Sequence, residues 1–228
     1  MPLATITGAS RGLGLALARA LAQNEYSLVI DARTNADLKE AERELSASTD
    51  VVAIPGDVAD PAHRSALIAA AGERIDVLVN NASVLGPSPQ PPLAQYPLED
   101  LERVYSVNVL APLALIQLAL PRIPDGGRIL NITSDAAKVP YEGWGGYGSS
   151  KAALEQLTAI LAAEHPELKI YTVDPGDMRT RLHQEAFPGE DISDRCPPDQ
   201  SVPGLLELIT NDLPSGRYRA RDLGLIAQ

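Results

Sequence analysis

Six times along this chain a short run of β-branched and aliphatic residues is followed by a longer Ala- and Leu-rich segment with apolar residues at helical spacing. That alternation constrains the fold more than any other feature. The runs predict strands at Leu3–Thr7, Ser27–Ala32, Val51–Ile54, Asp76–Asn80, Arg128–Thr133 and Lys169–Val173, with a weaker seventh at Arg217–Ala220. The amphipathic segments predict helices near Gly12–Gln23, Asn35–Ser46, Pro61–Ala71, Leu98–Leu120, Tyr147–Ala163 and Asp199–Asn211. The strands are apolar enough to be buried on both faces, so the expected architecture is doubly wound α/β: a Rossmann-like parallel sheet of about seven strands with helices on both sides. A chain of 228 residues without an internal repeat or linker fits one domain, residues 1–228.

In such folds ligands bind beyond the carboxyl ends of the strands. Two long loops follow strands, Ser83–Pro97 with its five prolines and the polar Gly176–Pro198, and both are expected to wall a pocket. A net charge of −11 argues against nucleic acid or anionic lipid as a partner, since both need clustered Lys and Arg. The lone Cys196, beside Pro197 and Pro198, excludes an internal disulfide and predicts an inert loop thiol; no metal site is expected. No apolar run approaches the roughly 20 residues of a membrane span, and Met1-Pro2-Leu3 leads directly into a strand, so the expected location is cytoplasmic.

The stretch Thr7–Leu15, TGASRGLGL, admits two chemistries. Gly8-Ala9-Ser10-Arg11-Gly12 matches the G-x-S-x-G turn that presents a nucleophilic serine, while Gly8, Gly12 and Gly14 make a glycine loop of the kind that cradles a pyrophosphate. A nucleophile elbow draws part of its oxyanion hole from a loop after an earlier strand, and here no earlier strand exists. It also needs a late histidine, for which only His165 and His183 are placed. A glycine loop after the first strand and before a helix is, by contrast, where a dinucleotide's phosphates sit on the helix amino end. Ser10 then faces the phosphates.

The spacing T-G-x3-G-x-G resembles that of the short-chain dehydrogenases/reductases, and further landmarks follow in order. GDV at Gly56–Val58 resembles the family's adenine segment, NNAS at Asn80–Ser83 its N-N-A-G, and VNVLAP carries Asn108. NITS carries Ser134, YGSSK carries Tyr147 and Lys151, and DPGDMRT resembles P-G-x-[VIM]-x-T. A Tyr-x-x-x-Lys pair alone carries little weight. Here the serine lies 13 residues before the tyrosine at a predicted strand end, and the tyrosine opens a predicted helix. The resemblance runs from about Leu3 to Arg219.

The resemblance implies an oxidoreductase that moves a hydride between a nicotinamide dinucleotide and a carbonyl or alcohol substrate. Tyr147 would be the proton donor, Lys151 one helical turn on would favour its phenolate and hold the nicotinamide ribose, and Ser134 would bond the substrate oxygen. Asn108 would hold a water that relays protons from Lys151. The cofactor would lie on Thr7, Gly8, Ser10, Arg11, Gly12, Leu13 and Gly14, with Asp57 and Val58 at the adenine, and Asn80 and Ala82 at a ribose. Pro175, Gly176, Met178 and Thr180 would sit near the nicotinamide. The second strand ends LVIDART. Its acidic selector position falls on Ala32, with Asp31 pointing to the other face and bracing the neighbouring loop. Arg33, with Arg11 at the same corner, favours NADP(H) over NAD(H).

Asp135, Ala136, Tyr141, Trp144 and Met178 suggest an apolar or aromatic carbonyl substrate, although Arg179 and Arg181 are placed to hold an anion instead. Ser83 replaces the family's glycine, and the short segment after SGRYRA implies an open pocket or a homodimer, with a tetramer as the alternative. Leu113, Leu115 and Ile116 with Leu154, Leu157 and Ile160 could form a two-fold helix interface or lie inside the core. Dehydration or epimerisation on the same fold, and a catalytically silent NADP(H)-binding regulator, stay open as other readings.

Overall fold

In the computed structural model, which describes residues 1–223, the β-branched runs become seven strands: β1 (Leu3–Ile6), β2 (Ser27–Ala32), β3 (Val51–Pro55), β4 (Val77–Asn80), β5 (Arg128–Ile132), β6 (Lys169–Asp174) and β7 (Gly216–Arg219). The helices between them are α1 (Gly12–Gln23), α2 (Asn35–Leu45), α3 (Pro61–Ala70), α4 (Leu98–Tyr105), α5 (Ala111–Ala119), α6 (Gly145–Glu164), α7 (Arg181–Ala186), α8 (Val202–Thr210) and α9 (Ala220–Leu223). All neighbouring strands are parallel, in the order β3-β2-β1-β4-β5-β6-β7. The chain fills one side of the sheet out to β3, then crosses back to lay β4 on the other side of β1. That reversal leaves a crevice above the carboxyl ends of β1 and β4, the place where a doubly wound sheet accepts a ligand.

Strand side chains alternate between two apolar layers. Ala4, Ile6, Leu28, Ile30, Val77, Val79, Leu130, Tyr171 and Val173 pack with α1, α2 and α8. Val29, Leu78, Ile129 and Ile170 face the opposite way, toward α3, α5 and α6. Both faces are covered, which is why these strands read as near-continuous apolar runs.

Three sequence expectations need correction. The predicted fourth helix is two, because Ser106–Leu110 forms a π turn that joins α4 to α5. Pro112 at the start of α5 lacks an N–H and so helps loosen the ladder at this junction. The stretch Leu98–Arg122 is long and apolar enough to cross a membrane by composition, contrary to the expectation that no such run exists. Half of its apolar 18-residue window is buried within this fold, the setting of a core helix. Finally, Gly176–Pro198 is not without structure. It carries α7, capped by the Thr180 hydroxyl, and Met178 pairs with Cys196 in a short bridge.

Candidate active site

A cleft of about 400 Å³ runs along the carboxyl ends of the strands, from Arg33 and Asp57 at one end to Ser134, Tyr147 and α7 at the other. Its floor is the glycine loop. Gly8 and Gly12 adopt positive φ of 66° and 57°, conformations that tax any residue with a Cβ. A Cβ on Gly8 would also lie 3.0 Å from the Ala82 backbone. Gly14 does a different job from the one expected of it. It does not line the cleft; a Cβ there would sit 2.5 Å from the Gly8 carbonyl oxygen, so it is glycine because loop and helix touch.

Two further predicted contacts lie behind the cleft wall. The Thr7 hydroxyl accepts the Asn81 and Ala82 N–H groups at 3.0 Å, tying β1 to the loop after β4. Asn80 points into the second core layer, where it donates to the Asn131 side chain at 2.8 Å, and Asn131 in turn donates to Thr158. The strand alternation that buries Asn80 brings Asn81 to the cleft instead. Its amide donates to the Thr7 and Gly8 carbonyls, a role the sequence reading overlooked.

At the opposite end, Ala32, Arg33, Thr34, Gly56, Asp57 and Val58 line the wall. Arg33 is exposed on this wall. Arg11 lines the same corner, bonded to Asp37 at 3.4 Å, with both side chains nearly half exposed. Asp57 pairs with Arg103 and accepts the Ala59 N–H. Burial pushes its carboxyl up, but that hydrogen bond and the Arg103 guanidinium outweigh it and hold the group below the usual range. Arg103, on α4, is another cleft residue without a sequence signal, because it comes to Asp57 only through packing. Asp31 lies beneath the glycine loop on the face opposite Ala32, and its Oδ1 accepts the Gly8 N–H at 2.7 Å.

Tyr147 and Lys151 lie on the buried face of α6, which starts two residues earlier than expected, at Gly145. Gly145 and Gly146 admit Leu93 and Tyr96 in spaces that a Cβ would fill. Burial pushes the Tyr147 phenol well above its ordinary range; the carboxylates of Asp135 and Asp174 add to this, while hydrogen bonds with Ser83 and Ser134 oppose it. The neighbouring Lys151 ammonium is 2% exposed and donates to the Ile132 carbonyl at 2.9 Å. Burial alone pushes it down to about 7. Ser134 follows β5, with its hydroxyl donating to Asp135 at 2.9 Å and accepting the Ala136 N–H.

Asn108 sits in the π turn and is fully buried. Its amide donates to the Val84 carbonyl and the Ser150 hydroxyl, and its Oδ1 accepts the Val84 N–H and the Ser83 hydroxyl, all at 2.9–3.1 Å. Two donors and two acceptor sites are thereby filled, so this side chain has no capacity left for the expected water. It fixes Ser83 and Ser150 on either side of Tyr147.

Around Tyr147 the cleft is walled by Val84, Trp144, Met178, Leu182, His183 and Ala186. The Trp144 ring meets the Tyr147 ring edge-on at 5.8 Å, with Phe187 behind it. Of the residues expected here, Pro175, Gly176, Met178, Thr180 and Asp135 line the cleft, whereas Ala136 is buried behind it and Tyr141 turns outward to donate to Asp135. Arg179 lines the rim, and Arg181 is engaged by Glu185 one turn along α7. The α7 residues fall in the Gly176–Pro198 loop expected to wall the pocket, but the helix itself had no sequence signal, because six residues in a polar loop have no readable period.

This arrangement has known counterparts. The family model described as short chain dehydrogenase matches residues 2–191. The chain is 32% identical over 217 residues to a benzil reductase ((S)-benzoin forming) of Saccharomyces cerevisiae, covering 90% of this chain and 80% of that one. It is 30% identical over 201 residues to the sepiapterin reductase of Bos taurus, covering 81% and 75% respectively. The alcohol dehydrogenase of the archaeon Thermococcus sibiricus, solved in complex with 5-hydroxy-NADP, superimposes with a TM-score of 0.87 at 27% identity, over 96% of this chain and 95% of that one. Sequence, sheet order and cleft thus agree in one conclusion: the chain belongs to the short chain dehydrogenase family and is an oxidoreductase.

Proposed function

We propose that the protein is an NADP(H)-dependent reductase of carbonyl compounds, with Tyr147 as proton donor. The observation that carries this reading is a buried tyrosine at one end of a cleft whose other end carries Arg11 and Arg33 beside a glycine loop. The residues fit a dinucleotide. Positive-φ glycines leave the loop surface bare for close approach of a pyrophosphate, the α1 amino end favours its charge, and Arg33 and Arg11 stand where a 2′-phosphate would lie. The 5-hydroxy-NADP complex of the archaeal alcohol dehydrogenase supports the same choice. A bound NADPH supplies the hydride.

The remaining work falls to the chain. As the carbonyl oxygen gains negative charge, Tyr147 gives it the phenolic proton, a transfer that a donor within hydrogen-bond reach accelerates by about 10²–10⁴-fold. Lys151, held against the Tyr147 ring 5.5 Å from its centroid, stabilises the phenolate when charged. Ser134 turns its hydroxyl from Asp135 to the substrate oxygen. Trp144, Leu182, Met178 and Ala186 exclude water and favour an apolar or aromatic carbonyl compound. The exposed Leu110 at the end of the π turn, Leu118 on α5 and Ile160 on α6 offer a homodimer contact, while Leu115, Ile116 and Leu154 serve the core.

The test is NADPH oxidation with a panel of aldehydes, ketones, diketones and quinones. Tyr147→Phe should bind NADPH as the wild type does and lose about 10²–10⁴-fold in turnover. Retention of more than about a third of wild-type turnover would remove Tyr147 from the role. Activity confined to phosphorylated or carboxylated substrates would overturn the substrate class.

A further inference from the structure

One buried titratable pair takes no part in the chemistry above. Asp31 and His63 are 1% and 7% exposed, on β2 and α3, with His63 Nε2 2.8 Å from Asp31 Oδ2. A carboxylate only accepts, so Nε2 carries the proton in this pair. The other carboxylate oxygen receives the Gly8 N–H at 2.7 Å. The His63 ring lies against Gly56, where it occupies the space that a Cβ would need. A single histidine therefore touches both the carboxylate under the phosphate loop and the turn beside the adenine end. Asp31 nevertheless borders the cleft, next to Ala32 and Arg33.

We propose that His63 is a positioning residue for cofactor selection: by engaging Asp31 it keeps that carboxylate on the glycine loop and away from the ribose corner, which stays open to a 2′-phosphate. This rests on the reading of the cleft as an NADP(H) site. The physical reason is the demand of a buried carboxylate for partners. With His63 and Gly8 both its oxygens are satisfied; without the histidine one oxygen is left without a donor in an apolar layer, which is costly. The cleft is the nearby source of donors. A carboxylate turned toward it accepts bonds from two free ribose hydroxyls and repels a phosphate esterified to one of them. Strand alternation puts Asp31 on the α3 face, and His63 is the α3 residue that holds it there.

The experiment is fluorescence titration of the purified protein with NADPH and with NADH, read as the ratio of the two dissociation constants. Wild type should favour NADPH, and His63→Leu should reduce that preference by about tenfold or more, the scale of one charged hydrogen bond. His63→Gln, whose amide can still donate to Asp31, should keep the ratio within about threefold, less than such a bond is worth. Asp31→Asn alone should leave the ratio nearly unmoved, and added to His63→Leu it should restore the NADPH preference. A merely structural pair would weaken both cofactors together and leave the ratio unchanged, and that result overturns the proposal. If His63→Leu does not fold, Gly56→Ala displaces the same ring and should move the ratio in the same direction; an unmoved ratio there overturns it equally. A wild type that bound neither dinucleotide, or preferred NADH, would defeat the NADP(H) reading and this proposal with it. Normal NADPH preference with an insensitive ratio defeats this proposal alone.

Discussion

Lys151 should make the cofactor-free protein less stable at pH 6 than at pH 9, and Lys151→Met should remove that dependence. Burial brings the ammonium from its ordinary 10.5 down to about 7. A lysine with a depressed folded value binds fewer protons in the native than in the unfolded state between those two values, so stability rises with pH across that window. At about 1.4 kcal/mol per pKa unit, the full penalty below pH 7 is roughly 5 kcal/mol, falling to roughly 2 kcal/mol by pH 9. Tyr147 does not contribute to the change, because its raised phenol is protonated in both states at either pH. The relief of roughly 3 kcal/mol corresponds to about 6–12 °C in Tm for a chain of this size. Thermal melts of both proteins at pH 6 and pH 9, at one ionic strength, read it directly. Lys151→Met should melt above wild type at pH 6, and the gap should narrow by about that amount at pH 9. A gap of the same size at both pH values would show that Lys151 does not titrate in this window. The same variant should lose turnover, since the charge opposite Tyr147 is gone.

Other outcomes follow from single contacts. Asp37→Asn releases Arg11 from an exposed pair worth at most about 1 kcal/mol, so NADPH should bind up to about fivefold tighter with NADH unchanged; equal gains for both would place Arg11 elsewhere. Asn108→Ala strands Ser83, Ser150 and both backbone groups of Val84, and should cost about 2–4 kcal/mol, measured by denaturant unfolding. A loss below about 1 kcal/mol would mean that this network is replaced by water. Gly14→Ala drives a methyl against the Gly8 carbonyl and should cost about 1–3 kcal/mol while weakening both dinucleotides. Unchanged dinucleotide affinity would show that the loop and α1 can separate at no cost.

The alternation of β-branched and helical segments determined the doubly wound sheet, because a strand buried on both faces has no other way to satisfy its side chains. Gly8 and Gly12 were equally legible, since a turn with positive φ selects glycine locally. Tyr147 and Lys151 were legible as one helical turn. The tertiary structure decided what depends on which side chain meets which across the sheet. Asn80 and Asn81 are adjacent and identical, yet only the second reaches the cleft, because strand alternation and the position of α6 send the first toward Asn131 and Thr158. Asn108 gave no local sign that its four hydrogen-bonding sites were spent on Val84, Ser83 and Ser150. His63, Arg103 and the α7 wall come to the site from segments about 50 to 170 residues beyond the glycine loop. A sequence specifies its periodicities and turns through neighbours along the chain, whereas partners for buried polar groups are chosen by packing, where every donor and acceptor withdrawn from water must be matched by whatever the fold brings within reach.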